Sequence, residues 1–456
     1  MMRYILSLLL SAVLLGLFWV TAKGIKKICP VLKRLFLPCA LIAGLIALPF
    51  NALQIIPRPA AELWSSLPAL LINVVFACLF LGKTILSPRQ TWKLAGPQVI
   101  FGQTLAWGQY VVGILLTWLV LTPVFGIPPL AGALIEISFE GGHGTAAGLG
   151  PVFENLGFSQ GTDLAVGLAT IGMVAGLVSG IILVNWAHRK EKTRGVTREA
   201  KKAESRDPIT LDDEAHPPTP HWLERIRFIS ILLHAGHIAV SIIIGRLLLD
   251  GLILVEKTTW GRDGSLELME SMPLFPLAML GGVIVQFTLV KLKLPHLIDR
   301  RMINAFGTVA LDILIVTAVA TMSLGVLGEY AAPMALIAAA GISWNILAFL
   351  FLAPRLIPRY WFERGIGDFG QSMGMTATGL LLMRITDPEN SSRALESFGY
   401  KQLFFEPIVG GGIFTASSMI LISQFGQGPV LVFTAAAAAG WVIFGLVSFR
   451  NKKPSG

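Results

Sequence analysis

Long apolar stretches alternate with short charged ones along almost the whole chain. Eleven apolar runs come close to the twenty or so residues that a membrane-spanning helix needs; they lie at 4–22, 35–50, 66–82, 98–122, 164–187, 226–249, 273–290, 304–323, 331–353, 403–424 and 429–449. Two more apolar segments, 129–155 and 363–386, are interrupted by glycine and polar residues. The pattern predicts an all-α polytopic membrane protein. The interrupted segments are predicted to be re-entrant hairpins, because irregular backbone in a bilayer must be buried in protein or reached by water.

Composition and charge agree with this class. Of 456 residues, 54% are hydrophobic and only 14% are charged, and the mean hydropathy is +0.70, which excludes a typical soluble globule. The net charge of +9 does not indicate a nucleic-acid-binding surface, because the cations are distributed as in a membrane protein. Of the 36 lysine and arginine residues, 28 fall in the predicted segments on one side of the membrane. The positive-inside rule therefore predicts an N-terminus outside the cell, and a C-terminus and central linker in the cytoplasm.

A charged, proline-containing stretch at 188–222 divides the chain and reads as a flexible cytoplasmic linker. We expect an N-terminal repeat at 1–187, a C-terminal repeat at 223–425, and an additional helix with a basic tail at 426–456. Short segments match in the same order in both halves: "PCALIAG" at 38–44 with "PLAMLGG" at 276–282, "TAAGL" at 145–149 with "TATGL" at 376–380, and "ENLGFSQ" at 154–160 with "ESFGYKQ" at 396–402.

Each half holds five predicted spans and one hairpin, so the second half must start from the opposite side and lie inverted. Inverted-topology repeats with interrupted helices are how many secondary transporters make one central site reachable from either face. The fold predicted from the sequence is therefore two inverted repeats of five transmembrane helices plus one re-entrant hairpin each, with an extra C-terminal helix.

The hairpins supply the candidate site. Helices that end in mid-membrane expose backbone N–H groups that attract an anion, and freed carbonyls that can hold a small cation. Glycines there let the backbone approach a ligand closely. The predicted substrate-binding residues are Gly141, Gly142, His143, Gly144, Thr145, Gln371, Ser372, Gly374, Thr376, Thr378 and Gln109. The alternative is that the Gly and Thr residues only let helices pack closely, and Gln109 could equally hold two helices together.

Asp312 is the candidate for ion coupling. It lies well inside an apolar run, where an isolated carboxylate costs about 2.5–3.5 kcal/mol, so it needs a partner such as a sodium ion or a proton. The repeat places Asn73 at the matching position of the first half. The alternative is a buried carboxyl group neutralised by a neighbouring polar residue. A transition-metal site is not predicted, because His143 has no second imidazole or thiol at ligand spacing.

The chain resembles the bacterial sodium/glutamate symporters. The resemblance is carried by "GGHGT" at 141–145 with a "GF" turn at 157–158, "ATIG" at 169–172 and "GMTATG" at 374–379, and it covers roughly residues 1 to 425. It implies sodium-coupled uptake of an acidic amino acid across the bacterial cell membrane, without a cofactor. It also implies hairpin tips that form the site, and a homodimer whose transport domains move against fixed scaffold helices.

The chain departs from the family pattern in three segments. Glu140 stands where the family has a small hydroxyl residue, and Glu136 lies one turn earlier. The second hairpin carries Ala377 in place of the proline of T-P-T, and Leu382 in place of an asparagine. In the following span, Thr415 and Ser418 occupy the positions of an acidic and an amide residue. We expect Glu140, Thr415 and Ser418 to take part in ion coupling, because a carboxylate at the tip repels an anion unless it is protonated or cation-bound.

The sequence thus predicts a secondary active transporter of an amino acid or organic anion, coupled to sodium. One alternative is a proton-coupled transporter of a different carboxylate or amino acid. Two others come from different classes. An intramembrane enzyme using Glu140 and His143 needs a nucleophile or a metal set, and the sequence has neither; a channel gains nothing from two inverted copies.

Overall fold

The protein is helical throughout the residues that the structure describes. The computed structural model describes residues 2–29, 32, 37–83, 88–189, 227–260, 268–388, 390 and 392–449, and none of them lies in a β-strand. From residue 190 onward the predicted cytoplasmic linker falls outside the described residues. The all-α class predicted from hydropathy is confirmed for the described part of the chain.

The helices follow the apolar runs. In chain order they are α1 (Met2–Ile28), α2 (Cys39–Ala52), α3 (Arg58–Cys78), α4 (Pro88–Leu116), α5 (Thr122–Phe125), α6 (Gly142–Gly148), α7 (Gly150–Asn155), α8 (Gly161–Arg189), α9 (Arg227–Thr258), α10 (Phe275–Lys291), α11 (Arg300–Ala320), α12 (Leu324–Glu329), α13 (Ala331–Phe351), α14 (Ala353–Leu356), α15 (Trp361–Thr386), α16 (Ala394–Phe405), α17 (Ile413–Phe425) and α18 (Gln427–Phe449). A π turn at Thr117–Leu121 joins α4 to α5, and a second π segment, Glu136–Glu140, precedes α6.

Eight helices of the described chain are long and apolar enough to cross a membrane. The other three predicted spans correspond to shorter helices, because α2, α10 and α17 have 14, 17 and 13 residues. The prediction of one helix at 403–424 is wrong. One helix ends at Phe405 and the next begins at Ile413, and the turn between α16 and α17 contains Gly410 and Gly411 with φ of +71° and +104°. The number of full-length spans among the described residues is therefore eight rather than eleven.

The chain forms two compact units. Unit 1 takes the described residues of Met1–Thr84, His143–Gly167 and Asp212–Gly328, and unit 2 takes those of Ile85–Gly142, Leu168–Leu211 and Glu329–Gly456. Each unit therefore draws helices from both halves of the sequence.

Unit 1 is built on close packing of α3, α9, α10 and α11. A methyl group added to Gly281 in α10 would lie 2.0 Å from the carbonyl oxygen of Ser241 in α9, so the two backbones touch, as small residues allow in membranes. The buried Arg300 donates through Nη1 to the carbonyls of Cys78 and Leu81, at 2.7 and 2.6 Å. This cation satisfies carbonyls left open at the C-terminus of α3.

Unit 2 is arranged around α4, which packs against α13, α16 and α18. An aromatic cluster fixes one end of this arrangement: the ring of Phe414 lies 4.4 Å from Trp107 and 5.0 Å from Tyr110, measured between centroids. Such contacts add to the apolar area that the rings bury. They hold α17 against α4, so that the polar groups of both helices face the same interior.

Candidate functional site

The backbone of α15 breaks at Gly374 and Met375. Met375 has φ +74° and ψ +168°, a combination that is essentially restricted to glycine. The two halves of α15 then pack against each other, since a methyl group on Gly379 would lie 2.3 Å from the carbonyl oxygen of Gly367. In a continuous helix, at 1.5 Å per residue, these two residues would be far apart.

A second break lies at Gly142, where φ is +68°, directly after the π segment Glu136–Glu140. A methyl group on Gly142 would meet Cβ of Met375 at 3.3 Å. The two interrupted segments predicted from the sequence therefore come together in unit 2 at their non-helical residues. Met375 is a strained residue that the sequence did not reveal, and such strain is concentrated at functional sites.

Glu140, at the end of the π segment, is buried against the first half of α15. Its Oε2 accepts a hydrogen bond from the hydroxyl of Ser372, while Oε1 is buried without a hydrogen-bond partner among the described residues. A buried carboxylate oxygen with no donor is costly. It is a position where a cation or an ammonium group would be stabilised.

Ser372 joins Glu140 to two buried amides. Its carbonyl oxygen accepts hydrogen bonds from Nε2 of Gln109 in α4 and from Nδ2 of Asn345 in α13, both at 2.7 Å. Gln109 Nε2 also lies 3.1 Å from Asn345 Oδ1, and Gln109 Oε1 is buried without a partner in the described chain. Gln109 thus links helices, as one of the two interpretations expected, and retains one open acceptor. Asn345 was missed, because a lone asparagine in an apolar run has no local signal.

Both carboxylate oxygens of Glu136 accept hydrogen bonds, in contrast to those of Glu140. Its Oε2 accepts from the hydroxyl of Tyr110 at 2.5 Å, and its Oε1 accepts from the hydroxyl of Thr415 and the backbone N–H of Gly410, both at 2.8 Å. Three donors and no acceptor suit a carboxylate. Thr415, expected at an ion site, holds this carboxylate, while the hydroxyl of Ser418 donates within α17 to the carbonyl of Thr415 at 2.9 Å.

A second buried polar cluster lies along α15 and α16, and the sequence did not predict it. Lys401 Nζ lies 2.9 Å from Asp368 Oδ1, and both side chains are 0% exposed. Lys401 also donates to Gln371 Oε1 at 3.1 Å, and Gln402 Nε2 donates to the same oxygen at 2.9 Å. One signal existed: in the matched segments "ENLGFSQ" and "ESFGYKQ", Lys401 stands opposite Ser159.

The threonines of the second interrupted segment have more local roles. The hydroxyl of Thr378 donates to the carbonyl of Gly374 at 2.7 Å, which satisfies a carbonyl next to the break. Thr376 is half-buried.

Gly141 is half-buried and belongs to unit 2, whereas the remaining predicted residues belong to unit 1. His143, Gly144 and Thr145 are buried there, and a methyl group on Gly144 would lie 3.3 Å from Ile72 of α3. Unit 1 and unit 2 divide the "GGHGT" motif between Gly142 and His143.

Asn73 and Asp312 are half-buried residues of α3 and α11, which pack against each other. They do not bond to each other. The Asn73 amide donates to the carbonyl of Ala69 at 2.9 Å, its Oδ1 is buried without a partner in the described chain, and Asp312 has no hydrogen bond to a described residue. The repeat therefore predicted corresponding positions rather than a contact.

Comparison with known proteins gives a consistent result. A model of the sodium/glutamate symporter family matches residues 4–384. The chain is 24% identical over 370 residues to the sodium/glutamate symporter of Escherichia coli (strain K12), across 79% of this chain and 82% of the relative. The sodium/glutamate symporter of Shigella flexneri matches with the same identity and coverage.

Proposed function

The chain belongs to the sodium/glutamate symporter family, and we propose that it is a sodium-coupled symporter of an amino acid or organic anion, glutamate-like by family. The family transports solutes rather than catalysing a reaction, uses Na⁺ as its coupling ion and needs no cofactor. As a multi-span helical protein, the chain fits a transporter in the cell membrane.

One observation carries the proposal: the breaks at Gly142 and Met375 meet beside a buried carboxylate that has an open oxygen. Interrupted helices with paired breaks are how secondary transporters form a site near the bilayer midplane. Glu140 Oε1 and Gln109 Oε1 are acceptors on either side of Ser372. Acceptor oxygens without donors suit a dehydrated sodium ion or a substrate ammonium group.

This arrangement offers a physical reason for coupling. An empty, ionised Glu140 repels an anionic substrate, and a sodium ion bound at its open oxygen removes that repulsion. Ion and substrate then bind more tightly together than either does alone, and the effect is reciprocal. We assign Gly141, Gly142, His143, Gly144, Thr145, Gln109, Gln371, Ser372, Gly374, Thr376 and Thr378 to the substrate region.

A further sodium position is proposed in unit 1 at Asp312 and Asn73. Asn73 Oδ1 is buried without a partner in the described chain, and Asp312 makes no hydrogen bond to a described residue. Their helices pack against each other. A carboxylate inside a membrane helix needs a counter-charge, and Na⁺ would supply it.

We also propose two inverted repeats, each with one re-entrant hairpin. The division into units supports this for the first three spans of each half, because unit 1 holds both sets (α1 to α3 and α9 to α11). Such a shared grouping is expected of a duplicated fold. The later segments are divided differently, since His143–Gly167 belongs to unit 1 and the matching part of the second half belongs to unit 2. The breaks in both interrupted segments support the hairpins.

The orientation and assembly complete the proposal. The cation distribution supports an N-terminus outside and a cytoplasmic C-terminus. A homodimer in the bacterial cell membrane is supported by family resemblance alone.

The test is uptake by purified protein in sealed vesicles. Radiolabelled glutamate, neutral amino acids and hydroxy acids are offered with an inward Na⁺ gradient, with equal Na⁺ on both sides, or with a proton gradient in choline. Accumulation that needs the Na⁺ gradient supports the proposal. Accumulation driven only by protons would replace it with a proton-coupled transporter, and downhill flux alone would indicate a channel.

A further inference from the structure

The ion pair of Asp368 and Lys401 is buried more completely than a structural salt bridge normally is. Both side chains are 0% exposed, with Nζ 2.9 Å from Oδ1, whereas the Arg246–Asp250 pair of unit 1 is about half exposed. An ionisable residue inside a membrane protein is a candidate for function by default. A buried pair gains little stability over an apolar pair of similar size, so stability alone does not account for this one.

Lys401 is held on several sides. Its Nζ lies 3.8 Å from the ring centroid of Phe405 and 5.2 Å from that of Phe398, distances at which aromatic faces attract a cation. A methyl group on Gly102 of α4 would lie 2.7 Å from both Cε and Nζ. The ammonium group is therefore closely packed between two aromatic rings and the backbone of α4.

Two of the three ammonium donors of Lys401 are used within the protein. Asp368 Oδ1 and Gln371 Oε1 both bind its ammonium group, and Gln371 also exchanges hydrogen bonds with Gln402. Because its charge is already paired and its side chain is 0% exposed, Lys401 is unsuited to bind a substrate carboxylate. A carboxylate oxygen, an amide oxygen and aromatic faces are also what a small monovalent cation stripped of water would receive.

The two carboxylates that flank Ser372 are treated differently. Asp368 lies one turn before Ser372 on the same face of α15. Its Oδ1 is paired with the ammonium group of Lys401 at 2.9 Å, while its Oδ2 is buried without a hydrogen-bond partner in the described chain. Glu140 lies on the other side of Ser372 and has an oxygen without a hydrogen-bond partner in the described chain.

We propose that Lys401 is a fixed counter-cation, which takes the place of a sodium ion at Asp368 and leaves Glu140 as the carboxylate of unit 2 that binds a mobile cation. The inference rests on the proposed sodium coupling, and it makes Lys401 a positioning residue that sets the number of sodium ions bound.

The test is thermal unfolding of the purified full-length protein in detergent, with NaCl replacing choline chloride at constant ionic strength. Any ion that binds the folded state raises the melting temperature with its concentration. Lys401→Met leaves Asp368 without its cation. Its melting temperature should be lower than wild type in choline and should rise more steeply with Na⁺. Lys257→Met, which removes a surface partner of Glu270, is the control and should keep the wild-type slope.

The double variant Asp368→Asn/Lys401→Met tests the proposal even if Lys401→Met does not fold. It removes both charges and should keep the wild-type sodium slope. A shallower slope would mean that Asp368 itself binds sodium in the wild type, and would overturn the proposal. So would a Lys401→Met slope equal to that of wild type, or stabilisation of that variant by acid but not by Na⁺.

The experiments distinguish failure of the proposed sodium coupling from failure of the proposed counter-cation role of Lys401. A wild-type protein whose uptake and melting temperature both ignore sodium contradicts the proposed function. A gain of sodium response in Lys401→Met relative to wild type is measured independently of uptake.

Discussion

Gly142 and Met375 lie in different halves of the sequence, yet a methyl group on Gly142 would come within 3.3 Å of Cβ of Met375. Both residues have positive φ, so the chain leaves helical geometry at both places where it makes this contact. The meeting point adjoins Glu140 and lies within three residues of Ser372.

Gly142→Ala tests whether the contact with Met375 matters beyond the backbone strain that any side chain at this φ would cause. A side chain at left-handed φ costs about 1–2 kcal/mol, and the added methyl also presses on Met375. We expect a modest loss of stability and loss of uptake. Gly126→Ala is the matched control, because Gly126 has φ +67° and nothing within 4 Å. It should lose similar stability and keep its uptake; equal loss of uptake in both variants would contradict a role for the contact.

Met375→Gly tests the strain at the second break. The observed φ and ψ are essentially restricted to glycine and cost about 1–3 kcal/mol in other residues. Relief of strain should offset the lost side chain, leaving stability within about 1 kcal/mol of wild type. Met373→Gly, at a fully buried helical position, should lose about 3 kcal/mol or more. Melting temperatures of the two purified variants give the comparison, and equal destabilisation would contradict it.

Glu140→Gln tests the mobile cation. Glutamine keeps an acceptor for Ser372 but removes the charge that attracts Na⁺. We expect the sodium concentration for half-maximal uptake to rise by about tenfold or more, which corresponds to about 1.4 kcal/mol. Glu154→Gln, at an exposed position, should leave the sodium dependence unchanged. An unaltered sodium curve in Glu140→Gln would remove Glu140 from the coupling site.

Tyr110→Phe tests the role of Glu136, the carboxylate that is held by three donors. The change deletes one of three donors to Glu136, and a hydrogen bond to a charged group contributes about 1.5–3 kcal/mol. A lower melting temperature is expected with little change in sodium dependence, because the other two donors remain. Tyr330→Phe is the control, since the Tyr330 hydroxyl makes no hydrogen bond to a described residue. A shift in sodium affinity of Tyr110→Phe would show instead that Glu136 itself binds the ion.

The predicted elements that the structure confirms are those with strong local signals. Eight apolar runs became long helices, since a bilayer selects length and hydropathy directly. Both segments interrupted by glycine contain helix breaks, because a residue such as Gly142 can adopt a φ that other residues avoid. The run at 403–424 failed because hydropathy does not register the turn at Gly410 and Gly411.

The polar partners were harder to predict, because they depend on contacts between distant segments. A single sequence contains no local pattern that pairs Asp368 with Lys401. The same holds for Gln109 and Asn345. The matched segments predicted Asn73 and Asp312 as equivalent positions, and that stays a prediction; equivalence of this kind would not imply that the two residues touch. Glu136 was noted only as a neighbour of Glu140, although its three donors give it a different role.

Ser372 connects three helical elements through a single residue: its side-chain hydroxyl bonds to the π segment, and its backbone carbonyl accepts from α4 and α13. A cation that pulls Glu140 away from that hydroxyl would perturb both amide contacts at once. On the proposed sodium coupling, the arrival of a cation at Glu140 would therefore be communicated to two further helices through one serine.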